Sequence, residues 1–297
     1  MIEVSKAKGS YIYDNDNKKY LDFVAGVSAC SVGHCNEKVI EAIKNQSEKY
    51  MHVMVYGEFV TKPSLDLAKL LAKNLPKNLN CTYFTNSGTE ALEGSMKLAR
   101  RYTGRSKIIA AKNAYHGSTM GALTLMGLEE RKKPFEPLIP EVDFIDFNSF
   151  KDLDRIDNNT SCVILETIQG SAGFIVPKNG YLIEIKKRCE EVGALLILDE
   201  IQTGIGRTGK LFGFENFDCI PDIIVYGKGL GGGIPIGAFT CSKKLMDTLH
   251  INPILGHITT FGGNPVITAA ALQTLKIVLG SKLLEGINEK ENLIRKK

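Results

Sequence analysis

The stretch DIIVYGKGLGGGIPIGAF, residues 222–239, joins a short apolar run to a lysine that is surrounded by glycines. The run has the length and the β-branched content of a buried strand, and Lys228 follows it almost directly. A lysine in this place could bind a phosphate, belong to a dinucleotide-binding loop or take part in chemistry itself. These three interpretations predict different residues around Lys228 and at the ends of the other strands.

The two nucleotide-binding interpretations fit the stretch poorly. The Walker phosphate loop requires Ser or Thr after its lysine, and Gly229 follows Lys228 here. Residues 227–232 do match G-x-G-x-x-G, and Asp247 lies further along the chain. That fingerprint has to open a helix, however, and the glycines and the proline of GGGIPIG disfavour one. Asp247 also lies in the helical pattern KKLMDTLH rather than at the end of a strand.

Apolar runs that alternate with helical patterns after residue 80 predict the rest of the fold. The runs are CTYFT, KIIAA, VDFIDF, CVILE, ALLILD and DIIVY, and amphipathic segments such as YLIEIKKRCEEVG separate several of them. Because the runs lack polar alternation, we expect burial on both faces, as in a parallel sheet covered by helices. The N-terminal GSYIYDNDNKKYLDF predicts a β-hairpin instead. The sequence therefore predicts an α/β fold with a mostly parallel central sheet flanked by helices.

Chemically informative side chains follow five of these runs, at the carboxyl ends where open α/β sheets bind ligands. They are residues 86–90 (NSGTE), Tyr115 and His116, Glu166, Asp199, and Lys228. The hydroxyl and glycine that open the helical TEALEGSMKLARR suit a phosphate, although the same residues are typical of ordinary helix capping. Asp199 needs a partner, and a helix N-cap or an ion pair with Arg207 would also explain it.

Taken together, these strand ends favour a lysine that forms a Schiff base with pyridoxal 5'-phosphate (PLP). Such a site needs a carboxylate for the pyridine nitrogen, a phosphate-binding helix start and an aromatic ring for stacking. Asp199, residues 87–89 and Tyr115 supply one of each. The glycines around Lys228 then give the backbone room at the end of the sheet.

With these residues the sequence resembles the class-III PLP-dependent aminotransferases of fold type I. That group includes the acetylornithine, ornithine, 4-aminobutyrate and ω-amino acid enzymes. The matching stretches are YLDFVAGVSACSVGHCNEKV, TNSGTEALEGSMKLAR, NAYHGSTMGAL, ILETIQGSAG, LLILDEIQTGIGRTGKLFGFE, PDIIVYGKGLGGGIPIGA and TTFGGNP. They are spread over essentially the whole chain.

The resemblance implies a role for each matching residue. Lys228 would form the Schiff base, Asp199 would pair with the pyridine nitrogen, and Gln202 would contact the phenolic oxygen. The other implied cofactor residues are the phosphate-binding Ser87, Gly88 and Thr89, the ring-stacking Tyr115 with His116 beside it, the buried carboxylate Glu166, and Thr260, which would reach the phosphate in the other subunit of a homodimer. The implied reaction moves an amino group from an amine or ω-amino acid donor to a 2-oxo acid by a ping-pong mechanism.

Three positions depart from the family's pattern. Ser118 stands where the ornithine, acetylornithine and 4-aminobutyrate enzymes usually carry a carboxylate-binding arginine, Ser171 replaces a glutamate, and Val27 replaces the tyrosine of ornithine enzymes. We therefore expect a substrate other than ornithine, with a distal end that is less acidic or is held differently. An acetylornithine, ornithine or 4-aminobutyrate enzyme, a family racemase or aminomutase, and a PLP-binding protein without turnover are the alternatives.

Charge, cysteine content and the absence of targeting patterns indicate which classes of partner and which cellular compartment to expect. The formal net charge is +4 and the charged residues are interspersed, which argues against a nucleic-acid or membrane-surface footprint. The seven cysteines form no C-x-x-C pair, and neither a signal sequence nor a membrane-spanning run is visible, so we expect a reducing cytoplasm. The five histidines lack metal-ligand spacing.

Three regions are expected along the chain. Residues 1–50 are predicted to form an N-terminal segment of a small domain, and residues 51–275 the large PLP-binding domain. Residues 276–297 begin a polar helical pattern, which we interpret as the start of a C-terminal small domain that is truncated here.

Overall fold

The computed structural model describes residues 1–54 and 57–296. The chain opens with three antiparallel strands, β1 (Val4–Lys8), β2 (Tyr11–Asp14) and β3 (Lys19–Leu21). Asp14 closes the turn between β2 and β3, because its carboxylate accepts the backbone N–H groups of Asp16 and Lys18. The hairpin predicted from the alternating aromatic pattern is present.

A seven-stranded sheet forms the centre of the molecule. Its strands are β4 (Cys81–Thr85), β5 (Lys107–Ala111), β6 (Val142–Ile145), β7 (Thr160–Glu166), β8 (Leu195–Asp199), β9 (Ile223–Gly227) and β10 (Gly237–Cys241), in the spatial order β4-β10-β9-β8-β7-β5-β6. The strands from β9 to β6 run parallel, whereas β10 pairs antiparallel with both β9 and β4.

Helices cover the sheet. The longer ones are α1 (Glu37–Ser47), α2 (Lys62–Asn74), α3 (Gly88–Thr103), α4 (Tyr181–Val192), α5 (Pro265–Gly280) and α6 (Gly286–Arg295), with short helical segments at Ala25–Ser28, Met120–Thr124, Glu129–Lys132 and Lys243–Met246. Helix α3 starts at the cap residue Ser87 and ends where Gly104 takes a left-handed conformation, φ 68°. No described helix is long and apolar enough to cross a membrane.

Burial on both faces explains the continuous apolar runs. Leu196 and Leu198 of β8 belong to one hydrophobic cluster, while Leu195 and Ile197 belong to the cluster on the opposite face. Because successive side chains of a strand point to opposite faces, a strand between two cores has no polar face. The mostly parallel sheet flanked by helices is therefore confirmed.

The sequence pattern does not predict strands β1 and β10, and of these two β10 lies in the central sheet. Its sequence, GAFTC, is short and follows the glycine-rich turn after Lys228. It becomes a strand by inserting between β4 and β9, with Phe239 opposite Tyr83 on one side and Val225 on the other. The division into regions at residues 50 and 275 stays a prediction.

Candidate active site

A cavity of about 360 Å³ lies at the carboxyl ends of the parallel strands. Register places Glu166, the last residue of β7, directly opposite Asp199, the last residue of β8. The cavity is lined by Val27, Gly88, Thr89, Tyr115, His116, Gly117, Ser118, Glu166, Ile168, Ser171, Asp199, Ile201, Gln202, Thr203 and Lys228. The sheet therefore brings most of the predicted site residues into one space.

Asp199 is buried at the base of this cavity and has two protein partners. One carboxylate oxygen, Oδ2, lies 2.8 Å from Nδ1 of His116, and the other accepts the backbone N–H of Ile201 at 2.9 Å. The alternative pairing with Arg207 is wrong, because that guanidinium donates instead to the Ser28 carbonyl at 3.3 Å. These two contacts fix the orientation of the carboxylate of Asp199 in the cavity lining.

The pairing with Asp199 shifts the pKa of His116. Burial by itself lowers the pKa of His116, but the hydrogen bond and negative charge of Asp199, with a contribution from Glu166, outweigh it and raise the pKa. The Nε2 atom of His116 is buried and has no hydrogen-bond partner within residues 1–54 and 57–296. A single proton on Nδ1 satisfies the bond to Asp199.

Glu166 holds the loop that follows β5. Its carboxylate accepts the backbone N–H of Tyr115 at 3.0 Å and that of Gly170 at 2.9 Å. Burial raises the pKa of Glu166, as does the charge of Asp199, while His116 and the two N–H groups act in the opposite direction. The carboxylate thus fixes the backbone from which the Tyr115 ring enters the cavity.

The opposite part of the cavity is formed by the N-terminus of α3. Ser87 caps the helix, since its hydroxyl accepts the backbone N–H of Glu90 at 3.3 Å, so the capping interpretation is confirmed as local geometry. Gly88 allows close packing here: a Cβ at this position would lie 2.7 Å from Cδ1 of Ile201. Thr89 lines the cavity and shares a hydroxyl hydrogen bond of 2.8 Å with Thr119.

Lys228 follows β9 and begins a short 3-10 turn, with φ 36°. Its side chain lines the cavity, and its amine has no hydrogen-bond or ion-pair partner among the residues that the structure describes. Gly229 gives the lysine's backbone room, because a Cβ there would lie 2.3 Å from the Ser31 hydroxyl. The turn is too short for the helix of a dinucleotide-binding loop.

Two predicted residues lie outside the lining of this cavity. The Ser87 side chain is engaged in the helix cap. Thr260 is exposed on a different part of the surface, in the segment between His257 and helix α5. Gln202, by contrast, lies in the lining and packs against Gly170, where a Cβ would lie 1.9 Å from its Oε1.

Sequence reasoning missed the importance of Glu200. Its side chain is fully buried and accepts four hydrogen bonds, from the hydroxyls of Thr167 (2.6 Å) and Thr203 (2.5 Å) and from the backbone N–H groups of Gly213 (2.8 Å) and Phe214 (2.7 Å). Burial raises the pKa of Glu200, and these four donors oppose that shift. The signal was the pair of consecutive acids after a buried strand, which cannot both point into one cavity.

We expect Glu200→Ala to lower the free energy of unfolding by about 3 kcal/mol or more, because it leaves four donors without an acceptor. Urea denaturation measures the change. Glu3→Ala, at an exposed acid, is the control and is expected to stay within about 0.5 kcal/mol of the unsubstituted protein. Equal effects of the two substitutions would contradict an organising role for Glu200.

A mostly parallel sheet with a lysine, a buried aspartate–histidine pair and a helix N-terminus at one cavity defines a PLP-dependent enzyme of fold type I. The donor set fits the cofactor: the carboxylate suits a protonated ring nitrogen, and the α3 N-terminus suits a phosphate. A family model described as Aminotransferase class-III matches residues 1–297, and the chain belongs to that family. It is a PLP-dependent aminotransferase.

Curated relatives support this assignment. The acetylornithine aminotransferase of Methanopyrus kandleri is 40% identical over 293 residues, which cover 98% of this chain and 74% of that protein. The [LysW]-aminoadipate semialdehyde/glutamate semialdehyde transaminase of Sulfolobus acidocaldarius is 38% identical, over 97% of this chain and 73% of its own length. The chain thus spans about three quarters of these relatives.

Solved structures share the fold. The ornithine aminotransferase of Toxoplasma gondii ME49 superimposes with a TM-score of 0.90 at 32% identity, covering 96% of this chain and 68% of that one. The taurine:2-oxoglutarate aminotransferase of Bifidobacterium kashiwanohense, solved with PLP and glutamate, gives 0.92 at 28% identity, covering 99% and 72%.

Proposed function

We propose that this chain transfers the amino group of an amine or ω-amino acid to a 2-oxo acid by a ping-pong mechanism, with Lys228 attaching the cofactor. The observation that carries the proposal is the convergence of Lys228 with the Asp199–His116 pair in one cavity. When bound, PLP supplies an electron sink for the carbon that loses its proton next to the transferred nitrogen. The two substrates would use the same cavity in turn.

The chain's own residues divide the remaining work. Asp199, fixed by His116 and by the Ile201 N–H, would hold a proton at the ring nitrogen, and Gln202 would contact the phenolic oxygen. The Lys228 amine, which has no partner among the described residues, would take the proton from the donor carbon and return it. Tyr115 would stack on the ring, with its backbone held by Glu166.

The phosphate would be bound by Ser87, Gly88 and Thr89 at the start of α3. The helix is 16 residues long, and Gly88 and Thr89 of its first turn line the cavity. The start of a helix offers free N–H groups and the positive end of the dipole, as an anion site requires. The close contact of Gly88 with Ile201 brings the helix backbone against the segment that follows Asp199. The phosphate and the ring nitrogen would thereby be held by two elements that pack directly on each other.

We also propose that the working unit is a homodimer, with Thr260 reaching the phosphate of the partner subunit. Thr260 lies outside its own cavity, on a face where the apolar side chains of Phe59, Val60, Ile254 and Phe261 are exposed. An apolar groove of about 510 Å³ borders the same segment. A second copy of the chain would cover this face, and light scattering of the cofactor-loaded protein tests the proposal.

The cavity lining favours a donor whose distal end is less acidic or is held differently. Val27, Ser118, Ile168 and Ser171 belong to the lining, and Lys228 is the only lysine or arginine among the described lining residues. The Ser118 hydroxyl lies 3.3 Å from that of Tyr115. The names of the curated relatives instead favour acetylornithine as the donor.

Steady-state rates with acetylornithine, ornithine, 4-aminobutyrate, β-alanine and 1-phenylethylamine decide between these donors. We expect higher kcat/KM for donors without a carboxylate remote from the reacting amine. Ser118→Arg is expected to raise kcat/KM for the carboxylate-bearing donors by about 10-fold, because a guanidinium can bind a carboxylate bidentately. Ser118→Ala is the matched control.

A clear preference of the unsubstituted protein for acetylornithine would overturn the donor assignment and favour the acetylornithine-type alternative. Other measurements distinguish a transaminase from a PLP-binding protein without turnover and from a racemase or aminomutase. Adding a donor without any 2-oxo acid changes the visible absorbance of bound PLP in a transaminase but not in a non-catalytic binder. A racemase or aminomutase would turn over its amino acid with no added acceptor.

A further inference from the structure

The segment Ala25–Ser28 runs left-handed, and we call it the left-handed turn. All four of its residues have positive φ: 51° at Ala25, 62° at Gly26, 56° at Val27 and 68° at Ser28. L-residues enter this region singly and at a steric cost, and a β-branched residue such as Val27 does so least readily. Strained backbone of this kind persists only where the surrounding structure holds it, and it is concentrated at functional sites.

Asp22 holds the entrance to the turn. Its Oδ1 accepts the backbone N–H groups of Val24 and Ala25, both at 2.9 Å. Its Oδ2 lies 2.7 Å from Nε2 of His34, and both side chains of this pair are largely buried. His34 is itself fixed to the N-terminal sheet, because its backbone exchanges hydrogen bonds of 2.8 and 3.0 Å with Gly9.

The exit of the turn is fixed against the lysine loop. The Arg207 guanidinium donates to the Ser28 carbonyl at 3.3 Å, and the Ser31 hydroxyl packs against Gly229, the residue after Lys228. Between these two anchors, Val27 lies in the wall of the cavity that contains Lys228. Neither Asp22 nor His34 lines that cavity.

We propose that Asp22, oriented by His34, is a positioning residue for donor selection: it holds the left-handed turn that keeps Val27 in the cavity wall. The inference rests on the proposed function, since donor selection requires a donor. Asp22 acts on the substrate only through the turn. Its loss would therefore alter which donors fit while leaving the cofactor residues in place.

A pair of glycine substitutions tests whether the turn is strained. Val27→Gly is expected to leave the melting temperature within about 1 °C of the unsubstituted protein or to raise it, because glycine accepts positive φ freely. Val24→Gly is the matched control: Val24 is similarly exposed (64% against 59%) but has φ −81°. We expect this control to lose about 2 °C. Equal losses of melting temperature in the two variants would show that the turn is not strained at Val27 and would overturn the proposal.

The ratio of kcat/KM for 4-aminobutyrate to that for 1-phenylethylamine tests the positioning role. Asp22→Ala is expected to change this ratio about 10-fold. Asp22→Asn keeps an oxygen that can accept the N–H groups of Val24 and Ala25, and we expect it to retain most of the original ratio. The visible absorbance of bound PLP is expected to stay unchanged in both variants. A ratio within twofold of the original in Asp22→Ala would overturn the proposal.

A double substitution separates positioning from a general loss of structure. In a Val27→Gly background the wall side chain is already gone, so adding Asp22→Ala is expected to change the ratio no further. A further change of the same size would show that Asp22 acts by another route and would overturn the proposal. His34→Gln provides a second disruption of the pair if Asp22→Ala does not fold, and the same shift in ratio is expected.

The failure of this inference can be told from the failure of the proposed function. If the unsubstituted protein turns over neither amine and donors leave the PLP absorbance unchanged, the proposed function fails, and donor selection by Asp22 fails with it. The two glycine substitutions then still establish whether the turn is strained. If turnover is normal and only the ratio is insensitive to Asp22→Ala, the positioning role alone is wrong.

Discussion

Lys228→Ala is expected to abolish the visible absorbance of attached PLP and to lower turnover by about 10⁴-fold, the upper end of what a positioned acid–base group contributes. The physical reason is that, in the proposed mechanism, one amine would serve as both the attachment point and the proton carrier. Lys228 lines the cavity beside Gln202 and Asp199, and its amine is free of partners within the described residues. Absorbance spectroscopy and single-turnover kinetics measure the two effects separately.

Lys210→Ala is the matched control, because Lys210 is an exposed lysine that lies outside the cavity lining. We expect it to leave both the absorbance and turnover unchanged. The free energy of unfolding of the apoprotein is expected to change little in Lys228→Ala, since the side chain makes no hydrogen bond within residues 1–54 and 57–296. Retention of the absorbance in Lys228→Ala would contradict the assignment of the attachment residue.

Asp199→Asn is expected to lower turnover by about 10³-fold, the scale of removing one preorganised charge or hydrogen bond from an active site. Asparagine can still accept the Ile201 N–H, so the turn after β8 would be kept. What is lost is the negative charge that would hold a proton at the ring nitrogen. Equal turnover in Asp199→Asn and the unsubstituted protein would contradict this role.

Asp199→Asn is also expected to change the pKa of His116 and the dependence of stability on pH. Burial lowers the pKa of this histidine and the aspartate raises it, so the pKa is expected to fall in Asp199→Asn, which NMR titration measures. Because the folded-state pKa lies above the ordinary 6.5, the stabilisation by the charged pair is fully present below pH 6.5. It is lost as the pH rises through the folded-state pKa. We therefore expect Asp199→Asn to destabilise the apoprotein more in acid than in alkali.

The parts of the fold that depend on local pattern were predicted correctly. The six apolar runs after residue 80 are strands β4 to β9, and the amphipathic YLIEIKKRCEEV is helix α4. Strand β10 was missed because it exists through pairing with β4 and β9, which are far from each other along the chain. Its small residues carry little strand signal of their own.

The candidate site shows the same division between local pattern and long-range contact. Asp199 and Lys228 stood out because each is a polar residue after a strictly apolar run. Their partners did not stand out: Arg207 was a reasonable partner for Asp199 on charge alone, yet the structure gives that place to His116. Complementary charge does not specify which of several groups can reach a buried carboxylate.

The sequence by itself determined the buried sheet, the chemistry at the strand ends and the resemblance to the aminotransferases, because periodicity and residue type are local properties. Only the tertiary structure decided which side chains meet. It placed Glu166 beside Asp199 through strand register, and it directed Glu200 away into a cluster of four donors. It also forced Val27 into a left-handed turn that no valine prefers, because contacts from Asp22 and Arg207 outweigh the local preference of the backbone.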